Sequence, residues 1–181
     1  MLVPLAVRAG AGPRLVSKRL LVVAALATVV PDLDVVAFLY GIPYGDPFGH
    51  RGFTHSFAFA GLAGFAATFF ARRLNSSKLI SFWMIFLSTA SHPLLDSLTN
   101  GGNGVAFFWP LSDARYFLPW QPIMVSPIGI RSFFEARSIQ VLISEFYWVL
   151  LPLLVATTSA VFLRHLRGKR KKELTHTDEL L

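Results

Sequence analysis

The chain has 181 residues, a formal net charge of +7 and no cysteine. Hydrophobic residues make up 54% of it, charged residues only 15%, and the mean hydropathy is +0.54. A soluble domain carries about a quarter charged residues, so this balance argues against one and for a membrane protein, while the missing thiols exclude disulfides and thiolate metal sites and leave oxygen and imidazole as ligands.

A membrane-crossing helix needs about 20 mostly apolar residues, and four stretches meet that requirement. The first runs from about Leu20 to Tyr40 and is interrupted by the string PDLD at Pro31–Asp34. Its apolar run continues past that string, which argues against a cleaved signal peptide. The second runs from about Phe53 to Ala71 and is entered through HRGFTHS, His50–Ser56. The third runs from about Leu79 to Leu98 and closes on HPLLD, His92–Asp96. Residues 99–138 form a long connection with Trp109 and Trp120. It is expected to lie on the outer membrane surface as a lid over a site, with short interfacial helices. The fourth stretch runs from about Ile139 to Leu163, with Glu145 and Pro152 inside it; Glu145 reads as a lone polar residue near its outer end. The expected fold class is all-α: an integral membrane helical bundle of about four transmembrane helices. Residues 1–170 form one membrane-embedded domain and residues 171–181 a disordered cytoplasmic tail.

Cytoplasmic segments are enriched in Lys and Arg. Arg8, Arg14, Lys18 and Arg19 precede the first stretch, Arg72, Arg73 and Lys78 lie between the second and third, and six basic residues from Arg164 to Lys172 follow the fourth. With four spans, thirteen of the seventeen basic residues fall on one side. Both termini are therefore expected in the cytoplasm of an inner-membrane protein. The same topology brings Asp32, Asp34, His50, His55, His92 and Asp96 to one level on the outer side.

Ionisable side chains in apolar surroundings are costly unless paired, hydrated or bound to metal, and within membranes they mark function. His92 and Asp96 are four apart, so they share a helix face and can bind one ion. Asp32 and Asp34 are two apart and would diverge on a regular helix. Either the backbone after Pro31 is irregular, or one acid binds metal while the other supports it or serves a second ion. His50 and His55 flank Gly52, which permits a tight turn, and Thr54 or Ser56 is free to cap the next helix or to hydrogen-bond a ligand. Arg51 reads equally as an interfacial anchor or as a clamp for an anionic oxygen pair. Asp34, His55, His92 and Asp96 rank as the first metal ligands, followed by Asp32 and His50. Such a donor set suits Zn²⁺, Mn²⁺ or Fe²⁺, as one or two ions.

PDLD, HRGFTHS and SHPLLDSLTNGG, in that order within a small multi-span protein, resemble the YdjM-like family of inner-membrane-associated metal-dependent hydrolases. The resemblance runs from about Val30 to Pro127, and HRGFTHS is its specific part. It implies a membrane-embedded hydrolase related to zinc-dependent phospholipases, with motif residues Asp32, Asp34, His50, Arg51, Thr54, His55, His92 and Asp96. One departure from the pattern stands out: a further His near the N-terminus is usual, and here no His precedes His50.

The expected function is a metal-dependent hydrolase of a lipid or phosphoester at the extracytoplasmic face. Asp32, Arg51 and Thr54 are its candidate catalytic groups, and membrane lipid its partner. A rival reading is an ion, proton or metal transporter that uses the same acids and histidines as a relay; a weaker one is a metal that only stabilises the bundle. Nucleic acid is not an expected partner, since the basic tail has no interleaved aromatic residues.

Overall fold

The computed structural model describes residues 2–13, 15–125 and 137–178. Among the described residues six α-helices carry the fold: α1 (Leu2–Ala11), α2 (Lys18–Ala27), α3 (Phe57–Phe69), α4 (Lys78–Asp96), α5 (Arg137–Glu145) and α6 (Leu151–Asp178). A long 3₁₀ segment, Val30–Tyr40, extends α2, and a π turn, Phe146–Leu150, joins α5 to α6. Among the described residues there is no named strand; two isolated β-bridges, Thr99 with Ile123 and Val105 with Tyr116, organise the long connection.

Local sequence explains the helix starts. Ser17, Ser56 and Ser77 each accept a hydrogen bond from the backbone N–H three residues on, which begins α2, α3 and α4. Pro31 stands at the start of the 3₁₀ segment, where its missing N–H costs nothing.

Among the described residues two helical stretches, not the four expected from sequence, are long and apolar enough to cross a bilayer. They are Lys18–Tyr40, of 23 residues and mean hydropathy 2.1, and Ser138–Arg167, of 30 residues and mean hydropathy 1.9. The reasons are physical. α3 has 13 residues and rises only about 20 Å, short of a hydrocarbon core of about 30 Å. α4 has 19 residues, but Ser88, Thr89, Ser91, His92 and Asp96 make its last turns polar. The α3–α4 pair is instead a hairpin lying along the first span. Gly64 permits its close contact, since a Cβ there would sit 2.9 Å from the Phe82 carbonyl oxygen. Even so, the hairpin exposes Leu62, Phe65, Phe69, Leu79 and Trp83. Apolar faces of this extent call for a partner or a lipid environment.

The core lies where α2 meets the hairpin: Leu20, Ala24 and Ala27 pack with Ala67, Leu74, Met84 and Ile85. That packing gives the molecule two unlike ends. At one, Ser17 donates to the Leu74 carbonyl, and Arg19 donates to the Arg73 carbonyl at 3.2 Å. Arg72, Arg73 and Lys78 therefore gather beside Lys18 and Arg19. At the other end α4 finishes on His92 and Asp96, beside the 3₁₀ segment and His55. α1, a helix the sequence reading did not anticipate, packs along α6. Val3 lies level with Leu94 and Leu98, and Ala11 level with Leu79 and Ile80.

Two further expectations change. The described part of the 99–138 connection, through Val125, holds bridges and turns rather than interfacial helices, with Val105, Phe107 and Ile123 buried; residues 126–136 of that expected lid lie outside the described residues. The segment expected to be a disordered tail from Lys171 continues α6 to Asp178. Its Lys, Glu and Leu residues are good helix formers.

Candidate metal centre

The tight turn before α3 sets the site. Arg51 adopts φ +62°, the left-handed region that a bulky residue rarely occupies. Gly52 follows it so closely against Pro47 that a Cβ would lie 2.2 Å from the Pro47 carbonyl oxygen. This folds His50 and His55 back onto the 3₁₀ segment. Of the two hydroxyls free to cap or bind, Ser56 caps α3 and Thr54 turns inward.

The 3₁₀ geometry resolves the spacing of the two acids. Residues two apart diverge by about 160° on an α-helix but by about 120° at three residues per turn. Both carboxylates therefore reach the His50–His55 turn, one on each side of His55.

Asp34 is enclosed and hydrogen-bonded. It accepts from His50 Nδ1 at 2.7 Å, from the Arg51 backbone N–H at 3.2 Å and from Thr54 Oγ1 at 2.6 Å. His55 Nδ1 lies 3.1 Å from Asp34 Oδ2 and 3.1 Å from Thr54 Oγ1. Thr54 has already given its hydrogen to Asp34, and a carboxylate only accepts. Both neighbours therefore require the His55 hydrogen on Nδ1, which leaves a lone pair on Nε2.

That lone pair points into a group of a different kind. His55 is fully buried. Its Nε2 lies 3.3 Å from Asp96 Oδ2 and 3.8 Å from Asp32 Oδ1. His92 Nε2 lies 3.1 Å from Asp32 Oδ1 and 3.8 Å from Asp96 Oδ2. One atom from each of these four residues lies within 4.8 Å of the other three. His55 Nε2, His92 Nε2 and Asp96 Oδ2 are all buried without a hydrogen bond. Buried polar atoms without partners are rare and call for an explanation. A cation explains these. Four ligands at about 2.0–2.1 Å around a tetrahedral ion stand about 3.3–3.4 Å apart, and the four measured edges, 3.1 to 3.8 Å, bracket that value. The residues present therefore fit a bound divalent ion.

Arg51 holds the fourth corner. It is 4% exposed, with Nε 3.0 Å from Asp96 Oδ2 but off the hydrogen-bonding axis. Its other nitrogens donate to the Gly101 carbonyl at 2.9 Å and to Thr99 Oγ1 at 3.2 Å. Arg51 is thus spent on Asp96 and the start of the connection, not free as an open anion clamp. Arg115 ties the same connection to the turn through the carbonyls of His50, Tyr44 and Asp46. Tyr44 packs edge-on to His50 with ring centroids 5.2 Å apart, and burial pushes its phenol up, so it stays neutral at physiological pH.

All six expected ligands are thus brought together, with two exchanged in rank. Asp32, placed lower by sequence, belongs to the orphaned group; Asp34, placed higher, is the carboxylate that orients His55, as metal-binding imidazoles commonly require. The sequence reading missed Thr99 and Gly101, which brace Arg51; the Thr three residues after Asp96 in HPLLDSLT was their only signal. Glu145 does not stand alone either: it shares a cleft of about 360 Å³ with Asp32, His92 and Asp96, whose apolar wall includes Leu95 and Val149.

The family profile described as YdjM inner membrane protein matches residues 1–168 of this chain. The chain belongs to that family. It is also 44% identical over 151 residues to the inner membrane protein YbcI of Escherichia coli (strain K12), a match covering 83% of this chain and 87% of YbcI. No solved structure matches it. Family membership accords with the two candidate spans and the exposed apolar faces, and names an inner membrane protein.

Proposed function

We propose that this protein is a membrane-embedded, metal-dependent hydrolase that cleaves an ester or phosphoester of a lipid. The observation that carries the reading is the convergence of four ligand atoms, three of them buried without hydrogen bonds, at the edge of a cleft. A fully apolar or hydrogen-bonded interior would cost less, so the arrangement supports a site for a cation and its chemistry.

Zinc is the favoured ion: His55, His92 and Asp96 would supply the three protein ligands of a catalytic site, and the half-exposed Asp32 would stand at the fourth corner, where a water takes its place. When bound, such an ion polarises a substrate oxygen and lowers the pKa of a water it holds. The chain's own residues do the remainder. Asp34 and Thr54 fix the tautomer of His55. Arg51 holds Asp96 in place. Asp32, with 45% of its side chain exposed, and Glu145 both face the cleft and are placed to take a proton from an attacking water and return it to the leaving oxygen. Leu95 and Val149 exclude solvent from one wall.

The basic end is proposed to face the cytoplasm by the positive-inside rule. That puts the centre toward the outer side and the C-terminal end of α6 inside. On that proposal the start of α1, level with Leu98, lies nearer the outer side, whereas both termini were expected in the cytoplasm. The transport reading gains no support, because the half of the first span away from the centre packs through Leu20, Ala24 and Ala27 into an apolar core.

The test is elemental analysis of the detergent-purified protein, followed by assay on phospholipids and alkyl phosphoesters. About one zinc per chain and turnover abolished in Asp32→Asn would support the reading. Protein that binds no divalent ion under any loading condition would refute it.

A further inference from the structure

A second cleft adjoins the one beside the metal centre. Leu95 of α4 and Val149 of the π turn also line this second cleft, of about 390 Å³, between α4 and α6. Leu94, Leu98, Trp148, Leu153 and Ala156 form its sides, with Val3 of α1 against them. The slot stays open because α6 packs against α1 rather than against α4. From Trp148 to Ala156 the chain rises about 12 Å, the reach of a medium alkyl chain.

The two clefts, which share Leu95 and Val149, are thus unlike in kind. One holds Asp32, His92, Asp96 and Glu145; the other is apolar for its whole length apart from Ser91. A molecule that satisfies both has a polar, metal-seeking head and a single hydrocarbon chain bound in the slot. We propose that the α4–α6 slot receives one hydrocarbon chain of the lipid substrate, and that Leu153 and Ala156 set the chain length accepted. This rests on the lipid-hydrolase reading above and adds to it where the chain lies. Leu95 and Val149, common to both clefts, mark the point where head passes into chain.

The test measures binding rather than turnover. Zinc-loaded protein in lipid nanodiscs is titrated with ethyl phosphate and with octyl phosphate, with the signal of empty discs subtracted. Octyl phosphate is expected to bind at least about tenfold more tightly. Ala156→Trp fills the slot and should bring octyl phosphate down to the ethyl level while leaving ethyl phosphate and zinc content unchanged. Ala156→Leu should give an intermediate loss. Val155→Trp places the same ring on the exposed side of α6, which does not line the slot, and should change nothing. Equal binding of the two phosphates, or equal effects of the two tryptophans, overturns the slot while the metal reading stands. Absence of any bound divalent ion together with an octyl preference that Ala156→Trp still removes keeps the slot and sinks the hydrolase reading.

Discussion

Asp34, His50 and Thr54 lie on one side of His55; Asp32, His92 and Asp96 lie on the other. Both sides are built from the same residue types, and both could hold a metal by proximity. They differ in how their atoms are satisfied. Asp34 accepts three hydrogen bonds and also touches His55 Nδ1. Across the ring, three of the four converging atoms are buried with no hydrogen bond. A protein can gather acids and histidines simply to hold a turn together, and the first group does that. Only the second leaves lone pairs aimed at a common point, which is what a cation requires.

The sharpest way to break this contrast is His92→Ala. His92 lies only on the unsatisfied side, so metal content should fall from about one ion per chain to near none, with little change in the unfolding temperature of the metal-free protein; retained metal would place the ion elsewhere. Next is Arg51→Ala, which in the metal-free protein leaves the half-buried Asp96 without a cation beside it. It should lower stability by about 3–5 kcal/mol, read by thermal unfolding in detergent, whereas a surface anchor would cost almost nothing. Asp34→Asn separates orientation from ligation. Metal affinity should drop about 10- to 100-fold with the stoichiometry unchanged, and a halved stoichiometry would instead reveal a second ion. The smallest effect belongs to His50→Ala, which removes one hydrogen bond to Asp34 and should cost about 1 kcal/mol, with metal content as before.

Much of this site was legible in the chain. His92 and Asp96 share a face because α4 is regular there, and Pro93 sits within the helix without ending it. HRGFTHS was readable as a turn because Gly52 must be small. The spans were less legible. Apolar stretches of similar length look alike in sequence, but α3 stops after 13 residues, when Phe70 leaves helical geometry and a turn brings Arg72 and Arg73 back beside Arg19. Arg51 was legible as an anchor or as a clamp for an anionic oxygen pair, without a way to choose. Its charge and position allowed both roles, and its left-handed backbone turns it inward to Asp96, Thr99 and Gly101.

The amino-acid sequence alone determined which residues had to be accounted for. Acids and imidazoles in a 54% hydrophobic chain carry a solvation cost that is independent of the fold, so their presence announced a site. Which of them face one another unsatisfied was decided only by the tertiary structure. That outcome turns on the angle between Asp32 and Asp34, set by a 3₁₀ rather than an α backbone, and on ångström-scale distances to His55 and to the end of α4. Such distances arise from packing between segments far apart in the chain, and no local pattern encodes them.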